Sequence, residues 1–125
     1  MSENNLGTLF EAYDETTIEV FQPQELLQDL GWDEYFVITA WNPESQELAL
    51  SENRTRNAEL EKELLAKGAE LLKAIGRSND WKWFEESFAV RKISLGEMTQ
   101  LATKYQQNAI FHITSEGKKV ISCIA

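Results

Sequence analysis

Tyr35-Phe36-Val37-Ile38-Thr39-Ala40-Trp41-Asn42-Pro43 decides how the rest of the chain is read. Its first seven residues are almost continuously apolar and β-rich, the pattern of a central strand buried on both faces. Asn42-Pro43 then initiates a turn. Beyond it the spacing predicts a helix over Ser51 to Lys67, with Ser51 as N-cap and Gly68 as C-cap. Ala69 to Ile75 has helical composition but is bracketed by Gly68 and Gly76, and is read as a strand. Gly76 to Asp80 is a turn and Trp81 to Ile93 a long strand. Ser94-Leu95-Gly96-Glu97 has the capping-box pattern and opens a helix that buries Met98, Leu101, Ala102 and Tyr105. Asn108 to Ile113 and Lys118 to Ile124 form a hairpin about Ser115-Glu116-Gly117.

Upstream, Leu6, Leu9, Phe10 and Tyr13 follow helical spacing. Thr16 to Phe21 alternates as a strand, and a short helix from Pro23 carries Leu26, Leu27 and Leu30 until Gly31. From Tyr35 to Ile113 the order is strand, helix, strand, strand, helix, strand. The expected class is α+β: a ferredoxin-like βαββαβ sandwich, one mainly antiparallel sheet with helices on one face. An N-terminal helix and strand and a C-terminal hairpin strand extend it. Residues 1–125 make a single domain, a length sufficient for a core without metal or disulfide.

Residues 1 to 53 hold twelve acids and no Lys or Arg, while the remainder holds twelve bases and nine acids. The two parts sum as −12 and +3, the net −9 of the chain. Such a field repels phosphate backbones and anionic membranes, so neither direct nucleic-acid nor membrane binding is expected. It suits a basic protein partner, and charge alone also allows an acidic nucleic-acid mimic. The single cysteine, Cys123, excludes an intrachain disulfide and fits a reducing compartment. With no signal-type segment at the start and no apolar run of membrane length, a cytoplasmic protein is expected.

Candidate chemistry gathers after Asn42. At about 100° per residue, Asn53, Asn57, Leu60 and Leu64 share one helix stripe, with Arg56 on its flank. The inward face is therefore apolar towards its end and amide-lined at its start. Helix starts beside strand ends are favoured ligand positions. Buried asparagines also satisfy loop carbonyls, and that simpler reading weighs slightly more. On the long strand, Phe84, Phe88 and Val90 share one face, interrupted by Glu86. Trp83, Glu85, Ser87, Ala89 and Arg91 line the other, open face. Trp81 and Trp83 are candidates for an interface, including a homodimer interface. His112 and Cys123 fall on adjacent strands, where a dyad is conceivable, though each is more simply a packed side chain. No metal-ligand spacing and no glycine-rich phosphate loop occur, so no metal and no cofactor are expected.

Thr39-Ala40-Trp41-Asn42-Pro43, Asn53-Arg54 with Arg56-Asn57 and Leu60, Trp83 with Glu85 and Ser87-Phe88, and Gln107-Asn108-Ala109-Ile110 occur in that order. Together they resemble the bacterial family known as domain of unknown function 3293, over roughly residues 10 to 120. The family motif often has proline after the first glutamate, where this chain has Glu86. The resemblance implies a small bacterial protein of one such domain. It also implies that the amides, Glu85 and Gln107 belong to one constellation, and it supplies no catalytic residues.

The candidate ligand-binding residues are Thr39, Asn42, Asn53, Arg56, Asn57, Glu85, Ser87 and Gln107. The expected function is a non-enzymatic module binding a protein partner or a small polar ligand. The alternative is an enzyme on a small polar or anionic metabolite, with Arg56 holding an anion and Glu85 as general base. A concave pocket with Arg56 and a carboxylate of raised pKa favours the enzyme, and a filled amide network favours the module.

Overall fold

The computed structural model describes residues 15–123. The N-terminal helix expected about Leu6 to Tyr13 and the last residue of the expected hairpin, Ile124, lie outside them. In chain order the elements are β1 (Thr17–Val20), α1 (Gln24–Asp29), β2 (Tyr35–Ile38), a 3₁₀ turn (Pro43–Ser45) and α2 (Leu50–Ala66). There follow β3 (Glu70–Arg77), β4 (Phe84–Arg91), α3 (Leu95–Lys104), β5 (Ala109–Thr114) and β6 (Gly117–Ser122). The six strands form one mixed-order sheet, β1-β3-β4-β2-β5-β6, in which every neighbouring pair is antiparallel. The protein is thus α+β.

Strand alternation sorts the core. Ile38, Phe88, Val90 and Ile110 face α2 and α3, meeting Leu60, Leu64, Met98, Leu101 and Ala102. Leu60, Leu64, Met98 and Val90 are wholly buried. On the other face, Leu27 of α1 and the following Trp32 cover Ala74 and Ala89. α2 and α3 therefore share one face, and the short α1 closes part of the second. Ala89 is consequently buried, and Arg91 lies with its guanidinium 4.6 Å from the Trp32 ring centroid.

The helix ends are set locally. Ser94 accepts from Glu97 N at 3.1 Å, and the Glu97 carboxylate returns to Ser94 N, completing the capping box at α3. Both long helices end in Schellman turns. At α2, Gly68 takes a positive φ of 82° while its N–H bonds Leu65 and the next N–H bonds Leu64. At α3 a non-glycine residue, Gln106, adopts the same left-handed conformation at φ 59°, with Gln107 N bonded to Ala102 O. The start of α2 differs from expectation: Ala49, not Ser51, is the N-cap and provides no side-chain bond. The helix start is held instead by Asn53, whose Nδ2 reaches back to Leu48 O at 3.3 Å.

Three strand limits also move. β2 ends at Ile38, before Trp41, because side chains take over its ladder to β4. Thr39 Oγ1 donates to Glu86 O at 2.7 Å, and Asn57 Nδ2 donates to the same carbonyl at 2.8 Å. Gly76 and Arg77 remain in β3, paired with Glu85 and Phe84, and do not form a turn. β4 begins at Phe84 and not at Trp81. Asp80 Oδ1 accepts from Ser78 Oγ and from Lys82 N, folding residues 78–83 into a turn with Trp81 at φ 61°.

Candidate functional site

The loop leaving β2 is where backbone strain collects. Asn42, Glu44 and Ser45 all have positive φ, a conformation that costs a non-glycine residue energy unless its surroundings hold it. Here they do. Glu44 N donates to Gln106 O at 2.7 Å, tying the loop to the end of α3. Asn53, only 2% exposed, accepts from Asn42 N at 2.9 Å and donates from Nδ2 to Asn42 Oδ1 at 2.9 Å. Leu48 N also donates to Asn42 Oδ1. Two donors therefore fix which end of the Asn42 amide is oxygen. The Nδ2 end is left to face β4, where it donates to Glu85 Oε2 at 3.0 Å.

The same logic fixes Gln107. Its Nε2 donates to Trp41 O at 2.9 Å and to Tyr105 O at 3.2 Å. Two carbonyls at one end require the amino group there, so Oε1 points the other way. Gln107 is 9% exposed and lines a cavity of about 470 Å³. Asn42, Glu85 and Trp83 line that cavity too, with Ser78, Asn79 and Asp80 from the β3–β4 turn and Glu15, Thr16 and Ser45 from neighbouring loops. Burial pushes the Glu85 carboxyl up from 4.5 to about 7, and the Asn42 amide opposes that shift in part. Its second oxygen, Oε1, has no protein donor among the described residues. Gly76 is the register partner of Glu85, so no side chain across the ladder crowds that carboxyl.

The expected constellation therefore divides in two. Asn42, Glu85 and Gln107 meet at the cavity. Asn53 and Asn57 do not reach it, because their amides are used within the fold. Asn57 Oδ1 accepts from Ala40 N at 2.7 Å while its Nδ2 serves Glu86 O. Arg56 is absent from the cavity wall, and its guanidinium donates to Ala40 O at 2.6 Å and to Tyr105 O. Thr39 and Ser87 are also engaged, Ser87 Oγ donating to Glu85 O at 3.1 Å, although both border a small void of about 20 Å³ beside Glu85.

The expected tryptophan pair separates as well. Trp81 leaves the sheet face and stacks under Arg77, 4.3 Å from guanidinium carbon to ring centroid. Trp83 forms a wall of the cavity. The His112 and Cys123 dyad does not form. His112 pairs across to Lys119, stacks on Phe36 and meets Glu34 at 2.8 Å, whereas Cys123 lies opposite Asn108.

Sequence reasoning missed Thr16, Ser45, Ser78, Asn79 and Asp80. Ser78-Asn79-Asp80 carried a signal, a run of turn formers, but it was legible only as a turn. Among the described residues no group of three or more His, Cys, Asp or Glu stands together in a way that would hold a metal ion, and no helix is long and apolar enough to cross a membrane.

A cavity beside an antiparallel sheet, framed by amides of fixed orientation, marks the candidate site of a small α+β protein, and a second cavity of about 240 Å³ lies between Arg54, Asn57, Lys73 and Ser87. The chain belongs to the family described as "Protein of unknown function (DUF3293)", whose model matches residues 38–110. That span runs from the end of β2 to β5 and includes Asn42, Asn53, Asn57, Glu85 and Gln107. No curated protein and no solved structure matches the chain.

Proposed function

We propose that this protein is a non-enzymatic ligand-binding module and that the cavity at Glu85 takes a small polar ligand. The observation that carries the reading is Gln107: a buried side chain whose amino end is committed to two carbonyls and whose oxygen faces an open cavity. Buried polar groups ordinarily find partners inside the protein. A group left free at a cavity wall is suited to a partner from outside. The enzymatic alternative on an anionic metabolite loses its anion clamp with Arg56. The nucleic-acid mimic keeps only the acidic charge.

The scaffold for this site is read as a ferredoxin-like sandwich. Its support is the inner order β3-β4-β2-β5, antiparallel throughout, with α2 and α3 on one face. A second reading, docking of a protein, is favoured by one observation. Trp81, Trp83 and Phe84, close in sequence, are 51%, 37% and 43% exposed, and aromatic side chains are enriched at interfaces.

Fragment screening against ¹⁵N-labelled protein tests the proposal. Hits should cluster on the amide signals of Asn42, residues 78–83, Glu85 and Gln107. Hits that map elsewhere would remove the cavity reading, and catalytic turnover of a hit would remove the non-enzymatic one.

A further inference from the structure

Two acceptors stand together on the inner wall of the cavity. Gln107 Oε1 and Glu85 Oε1 have no donor among the described residues, whereas the amino groups of Gln107 and Asn42 are spent on Trp41 O, Tyr105 O and Glu85 Oε2. Asn79, whose Oδ1 accepts from Thr17, brings an amide N–H to the β3–β4 turn side of the lining. The charges facing the space are of one kind. Glu15, Asp80 and Glu85 line it, and no Lys or Arg is among the lining residues. Two bases that touch lining residues are engaged within the protein. Arg77 pairs with Glu19 and donates to Ser78 O at 3.0 Å and to Asn79 O at 3.4 Å, and Lys118 donates to Thr16 O.

Trp83 adds an aromatic wall. Aromatic faces attract cations, and this fold already uses tryptophan in that contact twice, at Trp81 with Arg77 and at Trp32 with Arg91.

We infer that the ligand is an organic cation bearing at least two N–H donors, an alkylammonium or guanidinium group, bound between Glu85, Gln107 and the Trp83 ring. The inference rests on the reading of the cavity as a binding site and names what it binds. The geometry asks for donors in pairs. One N–H would reach Glu85 Oε1 and a second Gln107 Oε1, with Asp80 at the rim supplying further negative charge. A carboxylate or phosphate would meet the like charge of Glu15, Asp80 and Glu85. Burial makes the Glu85 carboxylate hungry for a positive partner, since nothing in the protein neutralises it. A free small cation and an arginine side chain of a basic partner present the same group.

The test is titration of the ¹⁵N-labelled protein at pH 8 with agmatine, with acetyl-Gly-Arg-Gly amide, with N-butylurea as the neutral isostere and with pentanoate as the anion. Agmatine should shift the Gln107 side-chain amide and the Trp83 indole signals and bind at least tenfold more tightly than N-butylurea. Glu85→Gln should weaken agmatine at least tenfold while leaving N-butylurea unchanged. Asp80→Asn, at an exposed turn whose bonds an amide oxygen can still accept, should weaken it two- to fivefold. Glu59→Gln, exposed on α2 and absent from the cavity lining, should change nothing. Binding by the peptide but not by agmatine would support the cation class and assign it to a protein partner. N-butylurea or pentanoate binding at the same signals as tightly as agmatine would overturn the cation class while leaving the cavity as a site. Failure of all four probes to perturb those signals would overturn both.

Discussion

Replacing Glu85 by glutamine should make the protein more stable, by a margin that grows as the pH rises from 4.5 to about 7. The carboxyl is carried from 4.5 to about 7 by burial. At about 1.4 kcal/mol per pH unit, the ionised form costs the fold roughly 3 kcal/mol relative to an unfolded chain in which it is hydrated. The sign follows from proton counting. Between 4.5 and about 7 the folded chain still holds a proton that the unfolded chain has released. Raising the pH through that window therefore favours unfolding. The contribution is fully present below 4.5, is lost as pH rises through about 7, and changes little beyond.

Glutamine copies the protonated acid in shape and leaves an oxygen to accept from Asn42 Nδ2. Wild type and Glu85→Gln should therefore agree within about 1 kcal/mol at pH 5. At pH 8 the variant should lead by about 3 kcal/mol, a large share of the roughly 5–15 kcal/mol that holds a domain of this size. Urea unfolding at both pH values measures the difference. With a slope of about 2 kcal/mol per molar, the midpoints should separate by roughly 1.5 M at pH 8. Comparing the two chains cancels Glu63 and Glu70, whose carboxyls are held low by Lys104 with Tyr105 and by Arg91 with Lys92, and which titrate identically in both. A stability difference that stays flat between pH 5 and pH 8 would refute the buried, unneutralised carboxyl. So would a variant less stable than wild type at pH 8.

Asn53→Ala leaves Asn42 N and its Oδ1 without their buried partner and should destabilise by roughly 2–3 kcal/mol in urea unfolding. In the same variant a ¹³C titration should place the Glu85 carboxyl higher still, because the Asn42 amide that opposes the shift is no longer oriented. Arg56→Ala strips Ala40 O and Tyr105 O of their donor and should cost about 1–3 kcal/mol, yet agmatine affinity, read by calorimetry, should stay within twofold; a tenfold loss with the fold intact would return Arg56 to the site. Leu64→Ala, at a wholly buried position under the sheet, should cost about 2–5 kcal/mol, and a loss under 1 kcal/mol would mean that α2 does not pack as described.

What was legible in the sequence was what is local. The stripe Asn53, Asn57, Leu60 and Leu64 is the buried side of α2, and Ser94 with Glu97 does close a capping box. Both follow from spacing within one helix. The strand limits failed where a side chain overrode the apolar pattern. Trp81 to Trp83 looks β-rich, but the Asp80 carboxylate captures the backbone N–H that a strand would offer. Ala40 and Trp41 look like more of β2, but Asn57 and Thr39 take the bonds that β4 would have supplied. The cavity was only half legible for a related reason. Asn42 could be named from its place after the strand, Glu85 from its strand face and Gln107 from the family resemblance alone. That Ser78, Asn79 and Asp80 face them is a consequence of β3 and β4 pairing in register, and no local pattern records it.

Whether the amides are an internal network or a site turns out not to be a choice between exclusive readings. A buried amide carries a donor end and an acceptor end, and each must be satisfied or exposed. Asn53 and Asn57 satisfy both ends within the protein, and in doing so hold the strained loop at Asn42. Gln107 satisfies only its donor end, and Glu85 only one oxygen. Those two stand at the outer edge of the network, where the cavity begins. Asn53 thus fixes the Asn42 amide that holds Glu85 Oε2, two main-chain carbonyls fix Gln107, and that fixed orientation leaves Glu85 Oε1 and Gln107 Oε1 facing the empty space. An amide free to rotate would offer either end and discriminate nothing. The selectivity for N–H donors proposed for this cavity therefore depends on residues that never touch a ligand, Asn53 above all. Loss of Asn53 should blur the preference for agmatine over N-butylurea before it abolishes binding.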